Sequence, residues 1–244
     1  MTESLSAGQS IGLQKQTKKG NQDDHIYDQM FSAILEQRLS PGTKLSEDVL
    51  GEIFRVSRTV IRKVLQRLAH EKVVQILPNR GAFVAEPSPE EARDVLEARK
   101  VVEAGIMRKV IARKSENDIR RLEKMLAEEA ASIDQGKHSK WVALSGDFHL
   151  ALAEIGGNDS LRDYLRELVS RTSLIHVQYQ SRKMGNQSCS CEEHGDIIDA
   201  IRAGDEEKAV QVMVNHLKAC EEQLNLDGQE PVSDLYEIFS AVTD

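Results

Sequence analysis

The chain has 244 residues, 40% of them hydrophobic and 30% charged, with a formal net charge of -8. That length suits two ordinary domains or one large one, and the balance is that of a globular protein able to bury a core. No apolar run approaches the roughly 20 residues that span a bilayer, and the N-terminal stretch lacks the apolar core of a signal peptide, so a cytoplasmic protein with no membrane partner is expected. Three cysteines, an odd number, argue against a secreted disulfide framework and fit a reducing compartment. Five prolines and 4% aromatics, amid many Leu, Ala, Glu, Arg and Lys, favour a mainly α fold.

Residues 1–22 are polar and aperiodic, and read as a flexible arm. From 24 to 38, Ile26, Met30 and Ile34, with Tyr27, Phe31 and Leu35 one position round, form one face of an amphipathic helix. Pro41-Gly42 is a turn signal. Ser46 starts a second helix whose inward positions are read as Val49, Leu50 and Ile53. Ser57 caps a third, with Val60, Ile61, Val64, Leu65 and Leu68 as its apolar stripe and Arg58, Thr59, Arg62, Lys63 and Arg67 off it. Two short β runs then flank Asn79-Arg80-Gly81, a hairpin pattern. Residues 23–86 are thus expected to form a winged helix-turn-helix, three helices plus a β-hairpin wing.

Pro87-Ser88-Pro89 marks a boundary. The helix that follows points Val95, Leu96, Val102, Ile106 and Val110 inward, and further helices are expected at about 116–135, 139–156, 159–184, 190–203 and 205–225. Asp159 and Asp205 stand at expected N-caps. Residues 87–226 therefore read as an all-helical bundle of about six helices, and 227–244 as a tail with Leu235, Ile238 and Phe239 at helical spacing.

Charge divides unevenly between the halves. Residues 1–86 hold 12 Lys/Arg and 10 Asp/Glu, whereas 87–244 hold 20 and 30. Residues 51–85 alone carry seven Lys/Arg against Glu52 and Glu71. A basic helix pair in an acidic protein is a candidate reader of double-stranded DNA. Arg58 and Arg62, four apart, share one side of the third helix, and each can fork onto guanine; Thr59 can meet a phosphate or a thymine methyl. An ordinary solvated basic face is the plainer alternative.

Three histidines fall on apolar stripes: His149 with Leu152 and Ala153, His194 with Ile197 and Ile198, His216 with Met213 and Cys220. Imidazoles from three helices, all aimed inward, can bind one divalent transition metal such as Zn or Ni; core histidines satisfied by hydrogen bonds are the alternative. A metal-dependent enzyme with an accessory DNA-binding module is a rival, but no HExxH and no clearly placed general base supports it. Cys189, Cys191 and Cys220 read as ordinary cysteines.

These residues carry a family resemblance. Leu39-Ser40-Pro41-Gly42-Thr43-Lys44-Leu45-Ser46-Glu47, Val56-Ser57-Arg58-Thr59, Arg62, Leu65-Gln66-Arg67-Leu68 and Pro78 to Val84 resemble the winged helix-turn-helix of the GntR family of bacterial transcription regulators. Leu96-Glu97-Ala98-Arg99 with Glu103, Phe148-His149, Glu193-His194 and His216-Leu217 resemble the FadR-type effector domain, called FCD. Departures are Val60 where Pro is common, Lys63 where Glu is usual, and Lys72-Val73 for Gly-Leu. The resemblance implies a non-enzymatic regulator, usually releasing DNA on binding effector and so a repressor, acting as a homodimer on a roughly palindromic operator. It implies DNA contacts from Ser57, Arg58, Thr59, Arg62, Lys63, Asn79, Arg80 and Gly81, and metal ligands His149, His194 and His216. Ser145 stands where the family places a fourth, Asp ligand, which either leaves a position for water or effector or lowers metal affinity. Arg99 would pair with a carboxylate effector, or else form an ion pair with Glu103.

Overall fold

The computed structural model describes residues 22–36, 38–179 and 191–227. Residues 1–21 of the expected N-terminal arm, residues 180–184 of the expected fourth bundle helix, Cys189 and the tail from 228 lie outside the described residues; Gln22 of the expected arm instead opens α1. The first unit comprises α1 (Gln22–Leu35), β1 (Lys44–Leu45), α2 (Glu47–Phe54), α3 (Arg58–His70), β2 (Val74–Leu77) and β3 (Gly81–Val84). The second comprises α4 (Pro89–Arg113), α5 (Glu116–Asp134), α6 (His138–Gly156), α7 (Asp159–Tyr179), α8 (Cys191–Ala203) and α9 (Glu206–Glu222). The mainly α fold, with a winged helix-turn-helix ahead of a six-helix bundle, is as the periodicity predicts. Among the described residues, no helix is long and apolar enough to cross a membrane.

The first core forms where the stripes of α1 and α3 meet the sheet: Ile26, Met30, Ile34, Ile61, Leu65, Leu68, Val74 and Val84 are all buried. Side chains at helical spacing on two helices remove that surface from water together, which is what fixes their crossing. The sheet has one strand more than the hairpin. Lys44-Leu45 pairs antiparallel with Phe83 and Ala82, so the strand order is β1-β3-β2. A two-residue strand has too little alternation to be seen in sequence.

Two local expectations fail. Val49 and Ile53 point outward, 52% and 66% exposed. α2 instead packs through Gly51, where even a Cβ would stand 3.2 Å from the Val56 carbonyl, with Leu50 and Phe54 part-buried. The other concerns the start of α7. Asn158, not Asp159, is its cap, its Oδ1 accepting from Leu161 N at 3.1 Å, while Asp159 pairs with Arg162. Asp205 does cap α9.

The bundle core joins Met107 of α4, Leu122 of α5, Phe148 and Leu152 of α6, Leu165 of α7, Ile197 of α8 and Met213 of α9. Ser88 caps α4 with Pro89 as its first residue, so the interdomain boundary is also a helix start.

Candidate functional site

At the reader helix, Ser57 Oγ accepts from Val60 N at 3.4 Å and opens α3. Because Ile61, Val64, Leu65 and Leu68 are buried, Arg58, Thr59, Arg62 and Lys63 are left exposed on the other face. Each cation there already has an acid. Arg62 grips Glu47 with two bonds, 3.0 and 2.7 Å, and Arg67 meets Asp24 at 2.7 Å; Arg58 pairs with Asp48 and Lys63 with Asp23. Hydrogen bonds from Arg62 hold the Glu47 carboxyl below its ordinary range. The basic island is therefore less bare than a count over 51–85 indicates. Its acids come from the first turns of α1 and α2, where helix dipoles favour them. Exposed pairs like these are worth about 0–1 kcal/mol, so exchanging carboxylate for phosphate costs little. At the wing tip Asn79 and Gly81 both have positive φ (59° and 98°), and Arg80 is exposed with its guanidinium 5.6 Å from the centre of the Phe83 ring.

The histidines lie deep in the bundle. His149 on α6, His194 on α8 and His216 on α9 are all buried and bring one nitrogen each within 4.8 Å of the others. Every ring is held from behind by a carboxylate. His149 Nδ1 meets Glu103 Oε2 at 2.6 Å, His194 Nδ1 meets Glu129 Oε2 at 2.8 Å, and His216 Nδ1 meets Glu193 Oε2 at 2.8 Å. Burial works against charge on Glu103, but His149 and Arg99 outweigh it and hold its carboxyl down at about 2. Burial in turn lowers His149 to about 3 and lowers His216 as well, so both imidazoles are neutral at pH 7.

A neutral ring that donates Nδ1–H to a carboxylate presents a lone pair at Nε2. His149 Nε2 and His216 Nε2 face each other at 3.3 Å, and His194 Nε2 is buried without a hydrogen-bond partner. The facing lone pairs of His149 and His216, with no proton to share, repel one another, and a cation relieves that. Two nitrogens at 2.0–2.1 Å from a tetrahedral metal are about 3.3 Å apart. The donor set thus fits a divalent metal, and the carboxylate behind each ring is the usual support of such a ligand.

Beside His149 and His216 is a cavity of about 40 Å³, lined among others by Arg99, Trp141, Ser145, Thr172 and Ser173. It can hold a few water molecules but nothing larger. Ser145 lines it, whereas Asp147 is exposed. Arg99 lines it as well, and its Nε donates to Glu103 Oε1 at 2.5 Å, the ion pair that its spacing also allowed. Trp141 was not singled out by the sequence, nor was Glu129, which Trp141 Nε1 contacts at 3.1 Å. The signal for Glu129 was present: it occupies a position of the α5 stripe Ile119, Leu122, Leu126 where an apolar residue is due. Cys220 corrects another expectation. It is in a disulfide, so the sulfur 3.9 Å from His216 Nε2 is neither an ordinary thiol nor a thiolate ligand.

Comparison with known proteins bears on both units. Residues 22–84 match the model of the "Bacterial regulatory proteins, gntR family", and residues 94–219 match the FCD domain. The HTH-type transcriptional repressor RspR of Escherichia coli is 25% identical over 209 residues, 85% of this chain and 91% of that one. The Uxu operon regulator of Haemophilus influenzae is 30% identical over 196 residues, covering 73% of each. Among solved structures, E. coli McbR/YncC aligns with a TM-score of 0.72 at 16% identity, over 83% of this chain and 96% of that one. A GntR transcriptional regulator from Rhodococcus sp. RHA1 aligns with a TM-score of 0.68 at 23% identity, over 82% and 96%. At that identity these two structures bear on the fold alone. With both family models matched in order across most of its length, the chain belongs to the GntR family of bacterial regulatory proteins, as a DNA-binding transcription regulator with a C-terminal FCD domain.

Proposed function

We propose that this regulator is a cytoplasmic homodimeric repressor. It reads its operator through Ser57, Arg58, Thr59, Arg62 and Lys63, with Asn79, Arg80 and Gly81 of the wing beside them. A divalent metal of the zinc or nickel kind, held by His149, His194 and His216, takes a small carboxylate effector at its open position. Arg99 and Ser145 complete the effector site from the cavity wall. The observation that carries this reading is the convergence of three carboxylate-backed imidazoles, with His194 Nε2 left without a partner. A Lewis-acidic metal beside an arginine suits an oxyanion. The family supports a regulator in place of the metal enzyme, and a relative named as a repressor supports that direction of control.

The test begins with an operator selected from random duplexes by the wild-type protein. Arg62→Ala and Arg58→Ala should each weaken operator binding by at least about tenfold, with thermal stability kept because neither side chain enters the core. In the same gel shifts, Zn²⁺ with a small organic acid should release wild-type protein but not His194→Ala. Wild-type affinity in both arginine variants would refute the reader assignment, and a zinc-independent response would refute the metal assignment.

A further inference from the structure

The cavity and the reader domain share two walls. On α7, Thr172, Ser173 and His176 line the cavity beside His149 and His216. Two other residues of the same helix turn to the DNA-binding unit: Leu174 joins its apolar core, and Ser170 donates its hydroxyl to Glu71 Oε2 at 2.9 Å. The start of α6 repeats the arrangement. Trp141 and Val142 line the cavity and also pack against Leu35 at the end of α1.

Glu71 is the residue that ends the reader helix α3, and it is buried. One of its oxygens accepts two hydroxyls, Ser170 from α7 and Tyr27 from α1 at 2.5 Å. Arg67, one turn earlier on α3, lies over the Tyr27 ring at 3.7 Å with its Nε 3.9 Å from Glu71 Oε1. A buried carboxylate is tolerated only while its hydrogen bonds are made, so moving any one donor disturbs the position of the rest. The cavity, at about 40 Å³, admits an organic acid only if one of its walls, α4, α6, α7 or α9, gives way. Two of those walls, α6 and α7, are ones on which the reader domain rests.

We propose that the Glu71–Ser170–Tyr27 cluster is a latch holding the end of the reader helix to the cavity wall, so that occupancy of the cavity is felt at α3. The proposal rests on the reading of that cavity as the ligand site. Its mechanical half, the latch, stands apart from it and is tested apart.

Amide hydrogen exchange on the full-length protein tests both, comparing wild type, Ser170→Ala and His149→Ala, each with and without Zn²⁺. In metal-free protein, Ser170→Ala should speed exchange in α1 and α3 about tenfold, the loss of one hydrogen bond to a buried charge, and leave α5 and α8 unchanged. Unchanged exchange in α3 overturns the latch, whatever the metal does. Zn²⁺ should protect α6 and α7 in wild type and in Ser170→Ala, with protection reaching α3 only in wild type. Equal protection of α3 in both overturns the coupling. The His149→Ala protein should show none of the zinc effects, its exchange in α3 being the same with and without Zn²⁺. A wild-type protein that gives no zinc response would remove the metal reading, and the metal-free comparison would still decide the latch.

Discussion

His149 shows what burial does to a single residue. In an unfolded chain its imidazole titrates near 6.5; in the bundle it stays neutral down to about 3. Between those values the unfolded chain holds a proton that the native one lacks, so stability falls as pH falls. Glu103, held at about 2, adds to the same trend below its ordinary 4.5. Metal-free protein should therefore lose about 1.4 kcal/mol per pH unit for each such proton below pH 6.5. Urea midpoints from pH 7 to 4.5 measure it, and His149→Gln should flatten the profile; an equal slope in the variant would show that another group governs it. The rear carboxylates make a second prediction. Glu129→Gln should lower zinc affinity about 10–100-fold, read by competition with a chromophoric chelator. The three histidines were legible in the sequence because each sits three or four residues from buried apolar side chains. Which carboxylate backs each ring was not, for His149 meets an acid 46 residues away and His194 one 65 residues away.

Among the elements, α2 shows where periodicity misleads. Eight residues make barely two turns, and Val49, Leu50 and Ile53 define a plausible stripe whichever way the helix rolls. Gly51 decides the roll, because close approach to Val56 is open only to the face without a Cβ. Ile53→Ser should accordingly change stability by less than about 0.5 kcal/mol, while Ile61→Ala should cost about 2–5 kcal/mol, both read from urea unfolding. The link between α3 and β2 gives a further test. Lys72 adopts φ 59°, a left-handed conformation that suits glycine, and the resemblance places Gly there. Lys72→Gly should stabilise the protein by about 0.5–1 kcal/mol; a loss in the same assay would mean that the lysine side chain itself contributes.

At the scale of the whole molecule, the two units are joined by more than the turn at Pro87. Leu174 of the bundle completes the core of the DNA-binding unit, and Leu35 of that unit covers Trp141. Trp141, the sole tryptophan, therefore sits between Glu129, the carboxylate behind His194, and the DNA-binding unit. Its fluorescence should change on zinc addition in wild type and stay constant in His194→Ala. A hundredfold excess of zinc over its dissociation constant should also stabilise the fold by about 2.7 kcal/mol, visible as a higher Tm in wild type only.

By itself the sequence determined the helices, the caps Ser46, Ser57 and Asp205, the outward arginines of α3 and the inward histidines of the bundle. Those depend on neighbours within one or two turns, and a single periodicity records them. The tertiary structure decided what each of these groups meets. It set acids from α1 and α2 against the reader cations, a carboxylate behind every imidazole, and Ser170 under the end of α3. Such pairings join residues tens of positions apart, and their strength comes from excluding water, which happens only once the helices have packed.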